Sequence, residues 1–589
     1  MQSSFIFSTL SFLAIAATLQ AGNPAIPNQG VADPHLHVFG NKAYIFAGHD
    51  FGDPNGKQWD TREWWVWSSD DMVEWKMESV LKTEDTYMKR SGPMAWAGDA
   101  AERNGKYYWY FSNTAKDTGV AVADSPGGPY RDALGKPLIP ERFTPTRSYD
   151  PTLFVDDDEA KTPYLVFGGP KWVKNGDSYY IVRMNEDMLS LAETPKKIIL
   201  QNPDGTINKA DDKNFLHKHN GIYYLSWRSH YATSQNVYGP YTYRGDIGTT
   251  HDHASFCPWN NQWFMCYTIF DRTGAHRAPG LCYIHYKDNG EMATVEPEIK
   301  AFGVGRYEGT WENIQAEWYL AASAGTSKRE IPSGGFEVRA EKDGSWLTFP
   351  KVQSLLANTP MSFSVASGNA DGATIEIRKG AVDGELLGTC SVPNTGGVDV
   401  FKTVKCKLKN SPGQNDLCLV FKGSGSGELL RLDGFHFKES DEAASDDWKI
   451  KAYGAGQYEG TWEKIQAEWH ASAGVGVSKH EMPGGGFDVR FQKDGSWIAF
   501  PKVNSMMTDT FIGFSVASGN RTGATIEIHK GSADGELLGT CIIRSTGSWE
   551  AFKTVKCKLK NRPGPNDLCL VVKGIGEGEL LRLDWVSFK

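Results

Sequence analysis

Apolar positions along this chain alternate with polar ones in short runs cut by Gly, Asn and Asp, and no stretch carries the spacing of a long amphipathic helix. In the first part of the chain the strongest runs are five aromatic segments: Ala43-Tyr-Ile-Phe-Ala47, Lys106-Tyr-Tyr-Trp-Tyr110, Pro163-Tyr-Leu-Val-Phe167, Ile222-Tyr-Tyr-Leu-Ser226 and Gln262-Trp-Phe-Met-Cys266. Each has a partner run downstream, namely Trp64 to Ser68, Gly119 to Ala123, Tyr179 to Arg183, Tyr231 to Ser234 and Leu281 to His285. Alternation rich in aromatic and β-branched residues, bounded by turn residues, predicts strands. Five strand pairs, each occupying roughly 40 to 65 residues, predict a five-bladed β-propeller built of four-stranded sheets around a channel.

A second pattern repeats at longer range. Tyr307-Glu-Gly-Thr-Trp-Glu-Asn-Ile-Gln-Ala-Glu317 recurs at Tyr458 to Glu468 with one change, and the same offset of 151 relates Trp346 to Trp497, Cys390 to Cys541 and Asp433 to Asp584. Solenoid repeats run at roughly 20 to 50 residues, so two gapless copies of this size are a duplicated domain. Within a copy, Gly335-Phe-Glu-Val-Arg339, Ser345-Trp-Leu-Thr-Phe349 and Ala373-Thr-Ile-Glu-Ile-Arg378 alternate between Gly, Asn and Asp turns, as in a β-sandwich of jelly-roll type. The acidic stretch from Glu439 to Asp447 reads as a solvated linker. The expected fold is all-β: a propeller over 22–302, a sandwich over 305–438, an acidic linker over 439–452 and a second sandwich over 453–589.

Composition narrows the function. The chain has 589 residues, too many for one core, with 20 Trp, 23 Tyr and a net charge of −9 without any basic run. That balance excludes nucleic acid as a partner, since phosphates need clustered Lys and Arg. Aromatic side chains in an acidic chain suit sugars, whose C–H faces pack on rings, although they also fill β-sheet cores. Residues 1–21 hold an apolar stretch from Phe5 to Leu19 followed by small residues, as in a secretory signal peptide, but with no Lys or Arg ahead of it. Export is expected, with no membrane partner. Nine cysteines fall three to a region and none has C-x-x-C spacing, which argues against zinc. One disulfide per region and buried free thiols are equally good readings.

Three acidic residues stand at or just before predicted strands: Asp33 in Ala32-Asp-Pro-His35, Asp150 in Tyr149-Asp-Pro-Thr152, and Asp212 in Asp211-Asp-Lys-Asn214. A lone Asp-Pro is usually a turn. At equivalent places on separate blades, however, the three converge on one channel. Inverting hydrolysis of a glycoside needs a general base and a general acid about 6.5 to 9.5 Å apart. A third carboxylate raises the acid's pKa by like-charge repulsion.

These residues resemble glycoside hydrolase family 43. The resemblance covers nearly all of the mature region to about Phe302. It is carried by Ala32-Asp-Pro-His35, Trp96-Ala-Gly-Asp99 before Gly105-Lys-Tyr-Tyr108, Tyr149-Asp-Pro with Phe154-Val-Asp-Asp-Asp158, Asn220-Gly-Ile-Tyr-Tyr-Leu-Ser226, and His251-Asp-His-Ala-Ser-Phe256. It implies Asp33 as general base, Asp150 as pKa modulator and orienting group, Trp96 as a substrate contact, and His253 as the imidazole facing the channel. The chain departs from the family in one respect: many members carry Glu-Gly-Pro where this one has Asp212-Lys-Asn214, which makes the acid an Asp, shorter by about 1.5 Å. A misplacement of about 1 Å can cost about a hundredfold, so the backbone is expected to compensate, with Asp211 in reserve. Gly52-Asp-Pro-Asn-Gly56 resembles a motif of the related invertases, but it follows the first aromatic strand and no Glu-Cys pair accompanies it, so it reads as a surface turn.

The two C-terminal copies resemble carbohydrate-binding module family 6. The resemblance implies a structural calcium ion held by Gln315, Glu317 and Asp433 in the first copy and by Gln466, Glu468 and Asp584 in the second; no organic cofactor is expected. It also implies a cleft with two aromatics, which fall at Phe491 and Trp549 in the second copy and at Ala340 and Val398 in the first. The family's cleft Asn is replaced by Arg431 and Arg582. The second copy is therefore expected to bind sugar and the first to bind weakly or through another face. The activity implied is a secreted, inverting exo-glycosidase acting on plant-type polysaccharide such as arabinan, arabinoxylan or arabinogalactan. α-L-arabinofuranosides come first, with β-xylosides or galactofuranosides next. The competing class is a polysaccharide-binding protein with a decayed site.

Overall fold

The computed structural model describes residues 23–51, 60–169, 179–209, 211–247, 253–270, 276–293, 303–305, 307, 313–331, 335–352, 359–409, 415–424, 427–437, 458–459, 465–470, 472–482, 487–504, 511–559, 566–575 and 578–588. The apolar leader over 1–21, the Gly52 to Gly56 turn and the acidic linker over 439–452 lie outside them. Among the described residues no helix is long and apolar enough to cross a membrane.

The N-terminal region is a series of antiparallel meanders. The first sheet runs β1 (Val31–Phe39), β2 (Lys42–Asp50), β3 (Thr61–Ser69), β4 (Lys76–Lys82), and the second runs β5 (Ala95–Arg103), β6 (Lys106–Asn113), β7 (Asp117–Ala123), β8 (Arg131–Asp132). The third runs β9 (Thr152–Val155), β10 (Pro163–Phe167), β11 (Tyr180–Arg183), β12 (Lys196–Lys197). In the fourth, β13 (Leu200–Gln201) pairs in parallel with the outer strand of a meander made by β14 (Asn214–His219), β15 (Ile222–Trp227), β16 (His230–Ser234) and β17 (Tyr241–Asp246). The fifth holds β18 (Ala254–Trp259), β19 (Gln262–Phe270) and β20 (Arg277–Tyr283).

The five aromatic segments are the second strands of these sheets, not the first. Each is preceded by an inner strand that the alternation did not reveal. Tight turns with left-handed backbone at both central residues join three inner strands to their aromatic partners: Asn104-Gly105, Asn220-Gly221 and Asn260-Asn261. Asn and Gly are the residues that tolerate this conformation. The inner strands β1, β5, β9, β14 and β18 pack each against the next, and β18 packs back on β1, where the Leu36 amide donates to Ser255 Oγ at 2.9 Å. Large rings from adjacent sheets fill the wedges between them, as where Phe46 meets Trp109 edge-on at 5.2 Å.

Each C-terminal copy is a two-sheet sandwich, with Phe336–Ala340 beside Leu430–His436 in one sheet of the first copy and Ser345–Val352 beside Asn415–Lys422 in the other. The second copy repeats the arrangement. The two copies differ in their attachment. One continuous apolar core runs from Ile26 and Phe256 of the first region through Tyr307 and Trp318 into Leu347 and Phe363 of the first sandwich, whereas the second sandwich has a core of its own. Gln262 stands at the junction. Its amide donates to the Glu317 and Tyr319 carbonyls at 2.9 Å each, and its oxygen accepts from Lys328 Nζ at 2.7 Å.

Candidate active site

The polar residues on and just before the inner strands meet at one place. Asp33 lies in β1 where the register against β2 slips between Ala32 and His35, and Asp150 lies two residues before β9. Both take left-handed backbone, φ 50° and 48°, a strained state for a residue with a Cβ. The two Asp-Pro motifs thus hold their carboxyls by the same local distortion.

His253 stands between them, with Nδ1 2.9 Å from Asp33 Oδ1 and Nε2 3.5 Å from Asp150 Oδ2. Burial alone would depress the imidazole; the Asp33 and Asp150 carboxylates outweigh it and raise it to about 10. Asp33 is clamped from its other side by Arg277, whose Nη1 donates to both carboxylate oxygens at 2.7 Å. The rest of that guanidinium is held by Asp50, with Nε to Oδ2 at 2.9 Å and Nη2 to Oδ1 at 2.8 Å. Burial works to raise the Asp33 carboxyl, but Arg277 and then His253 prevail and hold it far below the usual carboxylate range.

Asp212 is in the opposite electrostatic state. Burial, and after it the Asp150 charge, push its carboxyl up to about 6 against the opposing Lys213 ammonium 3.9 Å away. Its Oδ1 is buried without a hydrogen bond, and Tyr149 Oη donates to Oδ2 at 3.5 Å. Asp211 pairs with Arg228 Nε at 2.6 Å, and Nη2 of the same guanidinium stands 3.6 Å from Asp212 Oδ1; after burial, the charge that raises Asp212 most is that of Asp150. Gly169 makes this approach possible, because a Cβ there would lie 2.6 Å from Tyr149 Oη and 3.0 Å from Asp212 Cβ. Trp96, half-buried on β5, meets the Tyr149 ring edge-on at 6.2 Å and so flanks the same carboxyl. Asp99 of the Trp96 motif is not part of this group; it is buried against His37 Nε2 at 2.5 Å and accepts from the Leu153 amide.

Arg277 and Asp50 were missed in the sequence. The signal was there: β20 is buried at every position, and an Arg inside such a strand requires a buried carboxylate partner.

In the sandwiches, one expected cleft residue is corrected. Phe491 is fully buried in the core of the second copy, on the same strand face as Val489. Asp488 and Arg490 point the other way, toward Arg582, because neighbours along a strand alternate in direction. Phe491 therefore offers no platform, and its counterpart Ala340 is buried likewise. Trp549 does lie on the cleft side, half-buried against Gly519, with the Arg582 guanidinium 5.6 Å from its ring centre. Arg582 is held by Glu579 at 2.5 Å and faces Glu550 at 3.6 Å. In the first copy Arg431 is held by Glu428 at 2.6 Å and Asp399 at 2.5 Å, with Val398 in place of the tryptophan.

The first and last strands of each sandwich are adjacent, as Gln315 opposite Gly434 and Gln466 opposite Trp585. In the second copy this brings the Asp584 charge to bear on Glu468. Burial, then the Asp584 charge, raise Glu468 to about 7, and burial raises Asp433. Among the described residues, no three His, Cys, Asp or Glu side chains gather as at a metal site.

A carboxyl held far down by Arg277 and His253 and another pushed up to about 6 beside Asp150, at the inner strands of an all-β domain, are the groups that acid–base glycoside hydrolysis uses. Comparison with known proteins agrees: the model of glycosyl hydrolases family 43 matches residues 21–292, and that of carbohydrate binding module (family 6) matches 315–439 and 466–589. An arabinoxylan arabinofuranohydrolase of Paenibacillus polymyxa is 28% identical over 70% of this chain and 74% of its own length. One of Bacillus subtilis (strain 168) is 26% identical over 72% and 94% respectively. A xylosidase/arabinosidase of Bacteroides ovatus is 30% identical over 46% of this chain and 96% of its own. The chain belongs to glycosyl hydrolases family 43 and carries two family 6 carbohydrate binding modules.

Proposed function

We propose that this hydrolase is an exported, inverting, exo-acting α-L-arabinofuranosidase that trims side chains from arabinoxylan-type polysaccharide, with β-xylosides and then galactofuranosides as the next substrate classes. The reading is carried by the split between Asp33, ionised throughout the working range, and Asp212, protonated up to about pH 6. Asp33 takes a proton from the attacking water, and Asp212 delivers one to the leaving glycosidic oxygen. Asp150 keeps Asp212 protonated through like-charge repulsion. Arg277 and His253 anchor Asp33, and Trp96 supplies an apolar wall. The close approach that Gly169 permits supports the backbone compensation expected for an acid one methylene short. The names of the Paenibacillus and Bacillus relatives favour arabinoxylan over other arabinosylated chains.

The inner-strand contacts, running in sequence order and returning from β18 to β1, support a closed five-bladed propeller over 22–302. In the second module Trp549 with Arg582 is the sugar contact, and the first module, without that tryptophan, binds more weakly. Gln466, Glu468 and Asp584, and equally Gln315, Glu317 and Asp433, supply oxygen donors only. Glu468 Oε2 is buried without a hydrogen bond, which fits a hard cation such as calcium tying the chain ends together.

The test is sugar release from para-nitrophenyl arabinofuranoside, xyloside and galactofuranoside and from intact arabinoxylan, with Asp33→Ala and Asp212→Asn as controls. Turnover greatest on the arabinofuranoside and lost in Asp33→Ala is expected. Fastest turnover on another glycoside, or full activity in Asp33→Ala, would overturn the assignment.

A further inference from the structure

Both sandwich modules contain one pair of cysteines placed for covalent closure. All nine cysteines are free thiols in this structure. In the first module Cys390 lies on Leu386–Val392, the outermost strand of one sheet, and Cys406 on Gly397–Lys407, the outermost strand of the other. The strands are consecutive, so the chain crosses from sheet to sheet at this edge. Cys390 alternates inward with Val392, Cys406 inward with Val404, and the two thiols hydrogen-bond to each other across the gap. The second module repeats every element. Cys541 lies on the edge strand Leu537–Ile543 and Cys557 on the facing edge strand Lys553–Lys558, again with thiol bonded to thiol.

The remaining cysteines are placed differently. Cys418 and Cys569 sit on central strands, where they pair across the sheet with Thr348 and Arg378 and with Ala499 and His529. Cys266 stands opposite Leu281 and Cys282 opposite Met265, so their side chains leave opposite faces of the sheet. Cys257 stands opposite Phe264.

We propose that Cys390–Cys406 and Cys541–Cys557 are oxidation sites, closed to disulfides by exchange with a disulfide-bearing oxidant, each stapling the open edge of its sandwich. The half-exposed member, Cys406 or Cys557, is the attacking thiol, and its hydrogen bond with the buried partner lowers its pKa. Its thiolate attacks the donor disulfide and releases one donor thiol. The thiolate of Cys390 or Cys541 then attacks the mixed disulfide, forms the internal S–S bond and releases the second. Two electrons and two protons pass to the donor for each bond. In the second module the closed segment carries Trp549 and Glu550, so the staple fixes the base of the cleft loop.

The folded full chain is incubated with glutathione disulfide, alkylated under denaturing conditions and weighed. Four of the nine thiols are expected to escape alkylation, with peptides joined 390 to 406 and 541 to 557. Cys406→Ala and Cys557→Ala should each abolish one link, and Cys418→Ala neither. The module transitions should rise on the order of 10 °C on oxidation and fall back with dithiothreitol. Alkylation of all nine thiols, glutathione adducts that never close, or links to other cysteines in the unmutated chain would overturn the proposal whether or not the variants fold.

Discussion

Arg277 Nη1 sits equidistant from the two carboxylate oxygens of Asp33, at 2.7 Å from each, while the rest of its guanidinium faces Asp50. One cation thus answers two buried anions contributed by neighbouring strands. Arg277→Met leaves Asp50 without its cation and Asp33 with His253 alone, and loss of one partner from such a group costs about 3 to 5 kcal/mol. The variant should melt well below the parent in calorimetry, and the Asp33 carboxyl, released from its clamp, should titrate higher. Because a depressed carboxyl stabilises the fold above its unfolded pKa and loses that effect as pH falls, the parent's advantage over Arg277→Met should shrink below about pH 4.

The pH dependence of kcat/KM should show an alkaline limb near 6, where Asp212 loses the proton it must donate, and an acid limb far lower, where Asp33 takes one up. Asp150→Asn removes the neighbouring charge that helps hold Asp212 up, so the alkaline limb should move to lower pH. Initial rates on an aryl glycoside from pH 3 to 9 test both.

Asp212→Asn should lower turnover of arabinoxylan by about 10²- to 10⁴-fold. Turnover of a nitrophenyl glycoside, whose leaving group needs little protonation, should fall much less. A uniform loss on both substrates would assign the acid elsewhere.

Gly169→Ala should disturb the same carboxyl from behind. Its Cβ would press on Tyr149 Oη and Asp212 Cβ, and a shift of about 1 Å in the acid can cost about a hundredfold in kcat. The loss should follow the leaving-group pattern of Asp212→Asn, with little change in melting temperature.

Gln262→Ala strips two buried carbonyls and Lys328 of their partner and should cost about 1 to 3 kcal/mol at the junction of the hydrolase domain and the first module. Burial lowers Lys328 to about 7. A lysine neutral when folded and protonated when unfolded opposes folding below its unfolded pKa, so stability of the junction should rise from about pH 7 toward 10, and Lys328→Met should flatten that rise. Thermal melts across this range decide it.

Strands such as β6, whose Tyr108 and Tyr110 enter one apolar core and whose Trp109 and Phe111 enter another, announced themselves by unbroken aromatic runs. The inner strands did not. β1 reads Val-Ala-Asp-Pro-His-Leu-His, buried on both sides and interrupted by the residues of the site, so no period survives in it. Asp33 and Asp150 were legible because Asp-Pro recurs ahead of apolar strands. Asp212 was legible through its place ahead of the fourth aromatic strand, Ile222 to Ser226. Arg277 was not, because its meaning depends on Asp33 and Asp50, more than two hundred residues earlier. Phe491 was misplaced through strand parity: its position along the strand was right, but Val489 two residues before marks that face as core. The thiol pairs lay beyond reach, since spacing alone does not say which edge strands face each other.

The apolar core that passes without a break from the hydrolase domain into the first sandwich changes what that module can be. A partner on a loose string explores a cloud of positions, whereas one sharing a hydrophobic interior has a single address. Any sugar held by the first sandwich would therefore stand at a fixed distance from Asp33 and Asp212, so that the module's orientation, and not its reach, would select which side chain along a polysaccharide is presented to them.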